Sequence, residues 1–301
     1  MAKVGIVIVN WNTGGLLQRC LRSLAALTDA EAGLIDRIVV VDNASSDNSL
    51  VKAEVVVGQA RGRLRVQFLR MEKNVGFAAA NNRGIAWLAQ HAHKQPHYLL
   101  LNPDTELGAG ALREMLGAFG RHPKAGIVGP KLLHTDGSLQ QSVRSFPDFR
   151  TLLLFMLKLG WFWERYLRIQ FDYEREQYVD QVMGAAFLIR NSLIAVLPRL
   201  DERYFLWFEE VDFCKRARLK GFRTLYTPRA EVVHHGGASF HQLIGLDKTL
   251  PWLASTLRYG EAHFSKLAWI ALLSVTPISL MLSVPAALGH LKLRRRHTVR
   301  V

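Results

Sequence analysis

The stretch "YLLLNPDTEL", residues 98–107, decides how the rest of the chain is read. Tyr98, Leu99, Leu100 and Leu101 form a short apolar run with no polar face, as expected of a strand covered on both sides in a parallel sheet. Pro103 has no N–H for a further ladder bond and a fixed φ, so the strand ends there. Asp104 is thereby presented at the strand's carboxyl end, where open α/β sheets gather their ligands.

Working outward, the same logic applies to the preceding runs. Residues 4–9, 38–41 and 66–69 read as strands, and 127–128 as a fifth. Between them, Leu16, Leu17, Cys20, Leu21, Leu24 and Leu27 repeat at helical spacing, as do Leu112, Met115, Leu116 and Phe119, and 77–90 reads as a helix. Strands alternating with helices predict an α/β fold with a mostly parallel central sheet flanked by helices. The strand ends then carry "NWN" (10–12), "DNASSD" (42–47), "EKNVGF" (72–77) and "NPDTE" (102–106). Turn chemistry explains Asn, Asp and Gly in any one loop. It does not require an aspartate at both 42 and 104. Neither G-x-G-x-x-G nor G-x-x-x-x-G-K-[ST] occurs, so a nucleotide at this edge would be held by strand-end side chains.

The chain has 301 residues, about half of them hydrophobic, and a net charge of +14. The charge favours partners bearing phosphate: nucleic acid, anionic lipid or a nucleotide. Two distant cysteines make no disulfide framework and suit a reducing compartment. The first residues do not read as a signal peptide. In the second half, the aromatic and basic stretch 152–168 fits either an amphipathic helix, on a membrane or an acceptor groove, or an ordinary core helix. Residues 183–190 read as a buried strand opened by Gly184. Glu209, Glu210 and Asp212 precede a basic helix with Gly221 as its C′ residue, and 231–239 is a strand that breaks at His234 and His235.

Taken in order, "VIVNWN", "VVVDNASSD", "EKNVGFAAANN", "LLLNPDTEL", "VDQVMGAAFLIR", "LDERYFLWFEEVDFCKR" and "VVHHGGASF" resemble the landmarks of the family 2 glycosyltransferases. These are inverting enzymes of the GT-A fold, and the likeness is to their rhamnosyltransferase-like branch, which builds bacterial cell-surface polysaccharide. The resemblance implies a transferase domain over 1–240, with a nucleotide-sugar half (1–130) and an acceptor half (131–240). By its positions, Asn10, Asp42, Asn74, Asn81 and Asn102 match donor-nucleotide residues. Asp104 matches the carboxylate that holds Mg2+ or Mn2+, and His234 a further metal ligand in some members, with His235 as the adjacent alternative. Glu210 matches the catalytic base, preceded by Glu209. Asn102 departs from the aspartate of many relatives, which removes one charge from the metal motif.

The implied chemistry suits these residue types. A hard cation on carboxylate oxygen neutralises a leaving diphosphate, and a carboxylate in an apolar surround takes the acceptor hydroxyl's proton. Glu209, Glu210 and Asp212 equally suit a helix N-terminus; Asp212 is expected to orient the cluster or pair with Arg216. The implied partners are a nucleotide-diphosphate sugar such as dTDP-rhamnose and a lipid-linked or growing glycan acceptor.

Residues 267–291 contain no Asp, Glu, Lys or Arg, and Pro277 and Pro285 interrupt them before the basic run 292–297. The length suffices for a span. A single span would set the basic run across the membrane from the catalytic domain, against the positive-inside tendency. Residues 267–291 are therefore expected to be re-entrant or interfacial on an anionic surface, within a C-terminal helical, membrane-associating segment over 241–301 at the cytoplasmic face of the bacterial inner membrane. A span or a buried helix pair is the alternative. The rival functions are a sugar-nucleotide nucleotidyltransferase and a nucleic-acid binder. The first lacks its basic Gly-rich loop in "NWNTGG"; the second lacks any RNP, KH or zinc-finger pattern, and no nucleic-acid partner is expected.

Overall fold

The computed structural model describes residues 3–60, 62–92, 96–159, 171–236 and 245–297, with side chains of the last helix to residue 283. The elements in chain order are β1 (Val4–Asn10), α1 (Leu16–Ala25), α2 (Asp29–Ala32), β2 (Ile35–Asp42), α3 (Ser49–Gln59), β3 (Val66–Arg70), α4 (Phe77–His91), β4 (His97–Leu101) and β5 (Thr105–Leu107). Then come α5 (Ala111–Arg121), β6 (Ala125–Leu133), β7 (Leu139–Gln140), β8 (Val143–Arg144), α6 (Phe149–Met156), β9 (Gln177–Val179), β10 (Gln181–Val182) and β11 (Ala186–Ile189). The chain continues with α7 (Asn191–Val196), α8 (Glu209–Leu219), β12 (Arg223–His234), α9 (Leu246–His263) and α10 (Lys266–His297).

The main sheet runs β3-β2-β1-β4-β11-β6-β12-β5. Its first four strands are parallel, so Asn10, Asp42, Arg70 and Leu101 all end at one edge. Beyond β4 the sheet is mixed. The strand β11 is antiparallel to both β4 and β6, β6 and β12 are parallel, and β5 returns antiparallel to β12. Because side chains alternate along a strand, Val4, Ile6 and Ile8 face one core with Leu17, Leu21, Leu24 and Met115. Val7 and Val9 face the other, with Ile85, Leu88 and Phe213.

The third strand is less buried than its reading as a sandwiched strand implies, since β3 lies at the sheet's edge. The helix expected over 152–168 begins at Phe149 and its regular part ends at Met156; residues 160–168 lie outside the described residues. Its end is a Schellman motif. The Leu159 N–H donates to the Leu154 carbonyl and the Lys158 N–H to the Phe155 carbonyl, with Lys158 left-handed at φ +58°. The same motif closes α8, where Gly221 takes the C′ position at φ +84°.

A third hydrophobic cluster joins Leu152 and Met156 of α6, Tyr204, Leu253 and Tyr259 of α9, and Leu272 of α10. The last helix differs from the re-entrant expectation: it runs unbroken through Pro277 and Pro285 for 32 residues, about 48 Å at 1.5 Å per residue. A proline removes one ladder bond but does not turn the chain back. One face of α10 buries Leu272, Ser279 and Ser283; the other leaves Leu267 81% and Met281 72% exposed, with Ile270 and Ile278 beside them. Residues 266–283 are long and apolar enough to cross a membrane, with a mean hydropathy of 1.6.

Candidate active site

The carboxyl edge of the parallel strands is polar and tightly knit. The Asn10 side-chain amide donates to Asp42 Oδ1 at 2.8 Å, Ser49 Oγ at 2.8 Å and Ser45 Oγ at 3.0 Å, and its oxygen accepts from Thr13 Oγ1. Asn10 is fully buried and Asp42 nearly so. Both therefore stand behind the surface of the edge, fixing the 42–49 loop. Next to Asp42, the Asn43 amide donates to Asn74 Oδ1 at 2.9 Å, and its own oxygen accepts from the Val75 N–H at 2.9 Å. Asn43 thus shapes the 72–77 loop against the 42–47 loop. Asn81 is buried within α4 and donates to the Phe77 carbonyl.

At the hinge of that loop, Gly76 has φ +86°, and a Cβ there would lie 2.6 Å from the Phe205 carbonyl oxygen. The Phe77 N–H donates to the same carbonyl at 2.8 Å. Gly76→Ala is expected to destabilise the fold by about 1–3 kcal/mol, from the backbone conformation and the clash together. An unchanged midpoint in urea would contradict this.

Asn102, Pro103 and Asp104 form the turn between β4 and β5. The pairing of β5 with β12 sets His234 opposite Thr105, which brings His234 Nε2 to 3.4 Å from Asp104 Oδ1. The His234 Nδ1–H donates to Gln140 Oε1 at 2.7 Å. That bond orients the ring and leaves Nε2 as the nitrogen that faces the carboxylate. His235 turns away to Glu106, at 2.7 Å.

Two cavities open along this edge. The first, of about 460 Å³, is lined by Asn43, Asn74, Asn102 and Asp104, with Trp11 and Phe205 among its apolar walls. Leu246, Asp247 and Leu250 of α9 close its far side. The second, of about 520 Å³, holds Glu210 beside Arg144, Gln181, Trp207 and Trp252. The partition between them is the 205–208 turn, with Trp207 and Phe208 left-handed at φ +65° and +69°. Ser255 of α9 anchors it through a 2.8 Å bond to the Leu206 carbonyl.

Glu209 and Glu210 open α8, but only Glu210 reaches a cavity. Glu209 is buried. Burial and the neighbouring Glu210 charge push its carboxyl well above the usual range. Burial raises Glu210 as well, while the backbone amides at the helix start and Arg144 act against it. Asp212 pairs with Arg216 at 2.6 Å, one of its two expected roles, and also with His263 of α9 at 2.8 Å. That second contact ties the helix carrying Glu210 to the C-terminal helices.

A divalent cation fits the turn. The Nε2 of His234 and Oδ1 of Asn102 are buried atoms without hydrogen-bond partners, and His234 Nε2 converges with an Asp104 oxygen. Among the described residues no group of three or more His, Cys, Asp or Glu gathers for a metal. Two protein ligands suit Mg2+ or Mn2+, which keep the remaining positions for water and substrate phosphate.

Of the residues singled out in the sequence, Asn74, Asn102 and Asp104 meet at the first cavity and Glu210 stands in the second. Asn10, Asp42 and Asn81 lie behind the first, and Glu209 behind the second. Asn43 was within reach of the strand-end rule, one residue past Asp42. Gln140, Arg144 and the α9 residues sit in stretches with no motif and reach the site only through tertiary packing.

Comparison with known proteins bears on the family and the fold. The profile of "Glycosyl transferase family 2" matches residues 5–197. An N-acetylglucosaminyl-diphospho-decaprenol L-rhamnosyltransferase of Mycobacterium tuberculosis is 31% identical over 241 residues, covering 76% of this chain and 75% of its own. Rhamnosyltransferase WbbL of Escherichia coli is 34% identical over 85 residues, 27% of this chain and 30% of its own. A mannosyltransferase of Pyrobaculum calidifontis, solved with GDP-Man and Mn2+, superposes with a TM-score of 0.57 at 14% identity over 95% of this chain and 74% of that one. The fold is the expected GT-A fold, with a C-terminal apolar helix, and the chain belongs to glycosyl transferase family 2, in its rhamnosyltransferase-like branch.

Proposed function

We propose that this protein is an inverting glycosyltransferase that moves a sugar, rhamnose from dTDP-rhamnose, from a nucleotide diphosphate to a lipid-linked or growing cell-surface glycan. The observation that carries it is the pair of adjacent cavities, with Asp104 and His234 at one and Glu210 in the other. The rhamnosyl group and the lipid-linked acceptor are taken from the names of the relatives.

In this reading the first cavity receives the donor. Asn74 and Asn102 offer amide groups to its polar parts and Trp11 a ring face. Asp104 and His234 would hold Mg2+ or Mn2+, whose charge would offset that gathering on the leaving diphosphate. Glu210 approaches from the second cavity. It takes the proton of the acceptor hydroxyl as that oxygen bonds to the anomeric carbon and the bond to diphosphate breaks. Attack from the side opposite the leaving group inverts the anomeric centre. Residues 1–240 form the transferase domain, divided near 130 into donor and acceptor halves, and 241–301 the membrane-associating segment.

A lipid-linked acceptor stays in the bilayer while nucleotide sugars stay in the cytosol, so an enzyme joining them gains by confinement to the boundary. The outward apolar face of α10 and the basic run at 292–297 suit peripheral residence on an anionic cytoplasmic leaflet. The full chain is expected to float with anionic liposomes at low salt, and a chain truncated before Ser265 to stay behind. Equal flotation of the two would remove α10 as the anchor. The transferase reading itself is tested by screening UDP-, dTDP- and GDP-sugars for slow metal-dependent hydrolysis; absence of hydrolysis and of transfer with every donor would overturn it.

A further inference from the structure

The second cavity carries more positive charge than a general base requires. Arg144, Lys158 and Lys248 all line it, and Glu210 is its one carboxylate among the described residues. None of the three cations has an ion-pair partner among those residues, whereas Arg121, Lys131, Arg216 and Arg218 each do. The three come from separate elements: β8, the end of α6 and the first turn of α9. Their convergence is therefore a product of the fold and not of a local run of basic residues.

Lys158 is held there against its backbone preference. It occupies the left-handed C′ position of the Schellman motif at φ +58°, where glycine is unstrained and other residues cost about 1–2 kcal/mol. Its ammonium lies 5.5 Å over the Trp252 ring, and partial desolvation pulls its pKa below the usual lysine range. The Phe155 ring packs at a tilt of 45° against the same Trp252, with centroids 4.5 Å apart. The cavity thus has cations on an aromatic floor, and that floor belongs to α6 and α9, which pack on α10.

We infer that Arg144, Lys158 and Lys248 form a subsite for the diphosphate of an isoprenoid-linked acceptor, seating its headgroup so that the first sugar meets Glu210 and the lipid leaves along α6 and α10. This rests on the transferase reading, in which the Glu210 cavity takes the acceptor. Several ammonium and guanidinium donors suit a diphosphate carrying two or three charges, and an aromatic floor suits a sugar face or the first isoprene unit. A diphosphate of the donor nucleotide would instead lie beside Asp104, across the 205–208 partition.

The test is calorimetric titration of the full chain, held in neutral detergent, with geranyl diphosphate, geraniol, inorganic pyrophosphate and dTDP. Geranyl diphosphate is expected to bind saturably, more tightly than pyrophosphate, and geraniol not to bind. The double variant Lys158→Gln/Lys248→Gln is expected to weaken geranyl diphosphate tenfold or more and to leave dTDP affinity unchanged. Undiminished binding by the variant, or equal binding of geraniol, would overturn the subsite. Pyrophosphate binding as tightly as geranyl diphosphate would overturn the lipid assignment, and a parallel loss of dTDP affinity would hand the cations to the donor. Binding needs no turnover, so donor-sugar hydrolysis in the same preparation reports separately on the transferase reading.

Discussion

Glu210→Gln is expected to lower sugar transfer by a factor of about 10² or more, as removal of a general base does, while nucleotide affinity stays at the parent level. The substitution keeps the side chain's shape and its place against Gly184, where an added Cβ would sit 3.6 Å from Glu210 Cβ. It removes the ability to accept a proton together with the negative charge. Nucleotide affinity is the control, because the donor cavity lies on the other side of the 205–208 partition. Glu209→Gln should cost much less transfer, since Glu209 reaches neither cavity. A larger loss from Glu209→Gln than from Glu210→Gln would reassign the base, and no loss from either would make the pair structural.

The same pair sets a pH dependence with a defined sign. Both carboxyls are raised in the folded protein, chiefly by burial. Because the base must be ionised, kcat/KM should climb as pH rises through a value above the ordinary glutamate range, and Glu210→Gln should abolish that limb. For stability the sign is opposite. A carboxyl whose folded pKa is raised favours folding most below its unfolded pKa and loses that contribution as pH rises through the folded one. Glu209→Gln removes this loss, so its Tm should exceed the parent's on the alkaline side and converge with it in acid.

How much of this was legible in the sequence depends on how far each residue lies from a strand end. Asp104, Asn102 and Asn74 follow from one rule, that apolar runs end at a common edge, and the register of β1, β2, β3 and β4 puts them there. The same rule pointed to Asn10 and Asp42, yet it says nothing about which way a side chain faces at the last rung. Asn10 turns inward because Ser45, Ser49 and Thr13 satisfy it there. The meeting of His234 with Asp104 depends on β5 pairing with a strand more than a hundred residues later, a non-local contact that no window of sequence displays. The α9 wall is harder still, because Leu246, Lys248 and Leu250 belong to no periodic or motif signal and matter only by where α9 docks. In α10 the prolines misled, since a helix packed on α6 and α9 tolerates the bonds they remove.

Asp104→Ala is expected to abolish metal-dependent turnover while leaving the fold intact. Its carboxylate is nearly buried, but the turn is held by main-chain bonds that the substitution leaves in place. The Asn102 N–H donates to the Ala185 carbonyl at 2.8 Å, and the His235 N–H to the Asp104 carbonyl at 2.9 Å. The substitution takes away the anionic oxygen that faces His234 Nε2. With Asn102 neutral, Asp104 is the only acidic residue of the "NPD" turn, so a divalent cation would be left with a neutral imidazole and the substrate's own phosphates. Mn2+ bound in the presence of dTDP, read by electron paramagnetic resonance, should therefore fall to background in the variant, independently of any turnover. Gln140→Ala acts one step further out. It frees the His234 ring by removing the 2.7 Å bond at Nδ1, and should weaken Mn2+ by about 10–100-fold, as loss of a ligand's orienting partner does. Asp104→Ala with full activity and parental Mn2+ binding would remove the carboxylate from the metal site; parental Mn2+ binding in Gln140→Ala alone would remove only His234's orientation from the account.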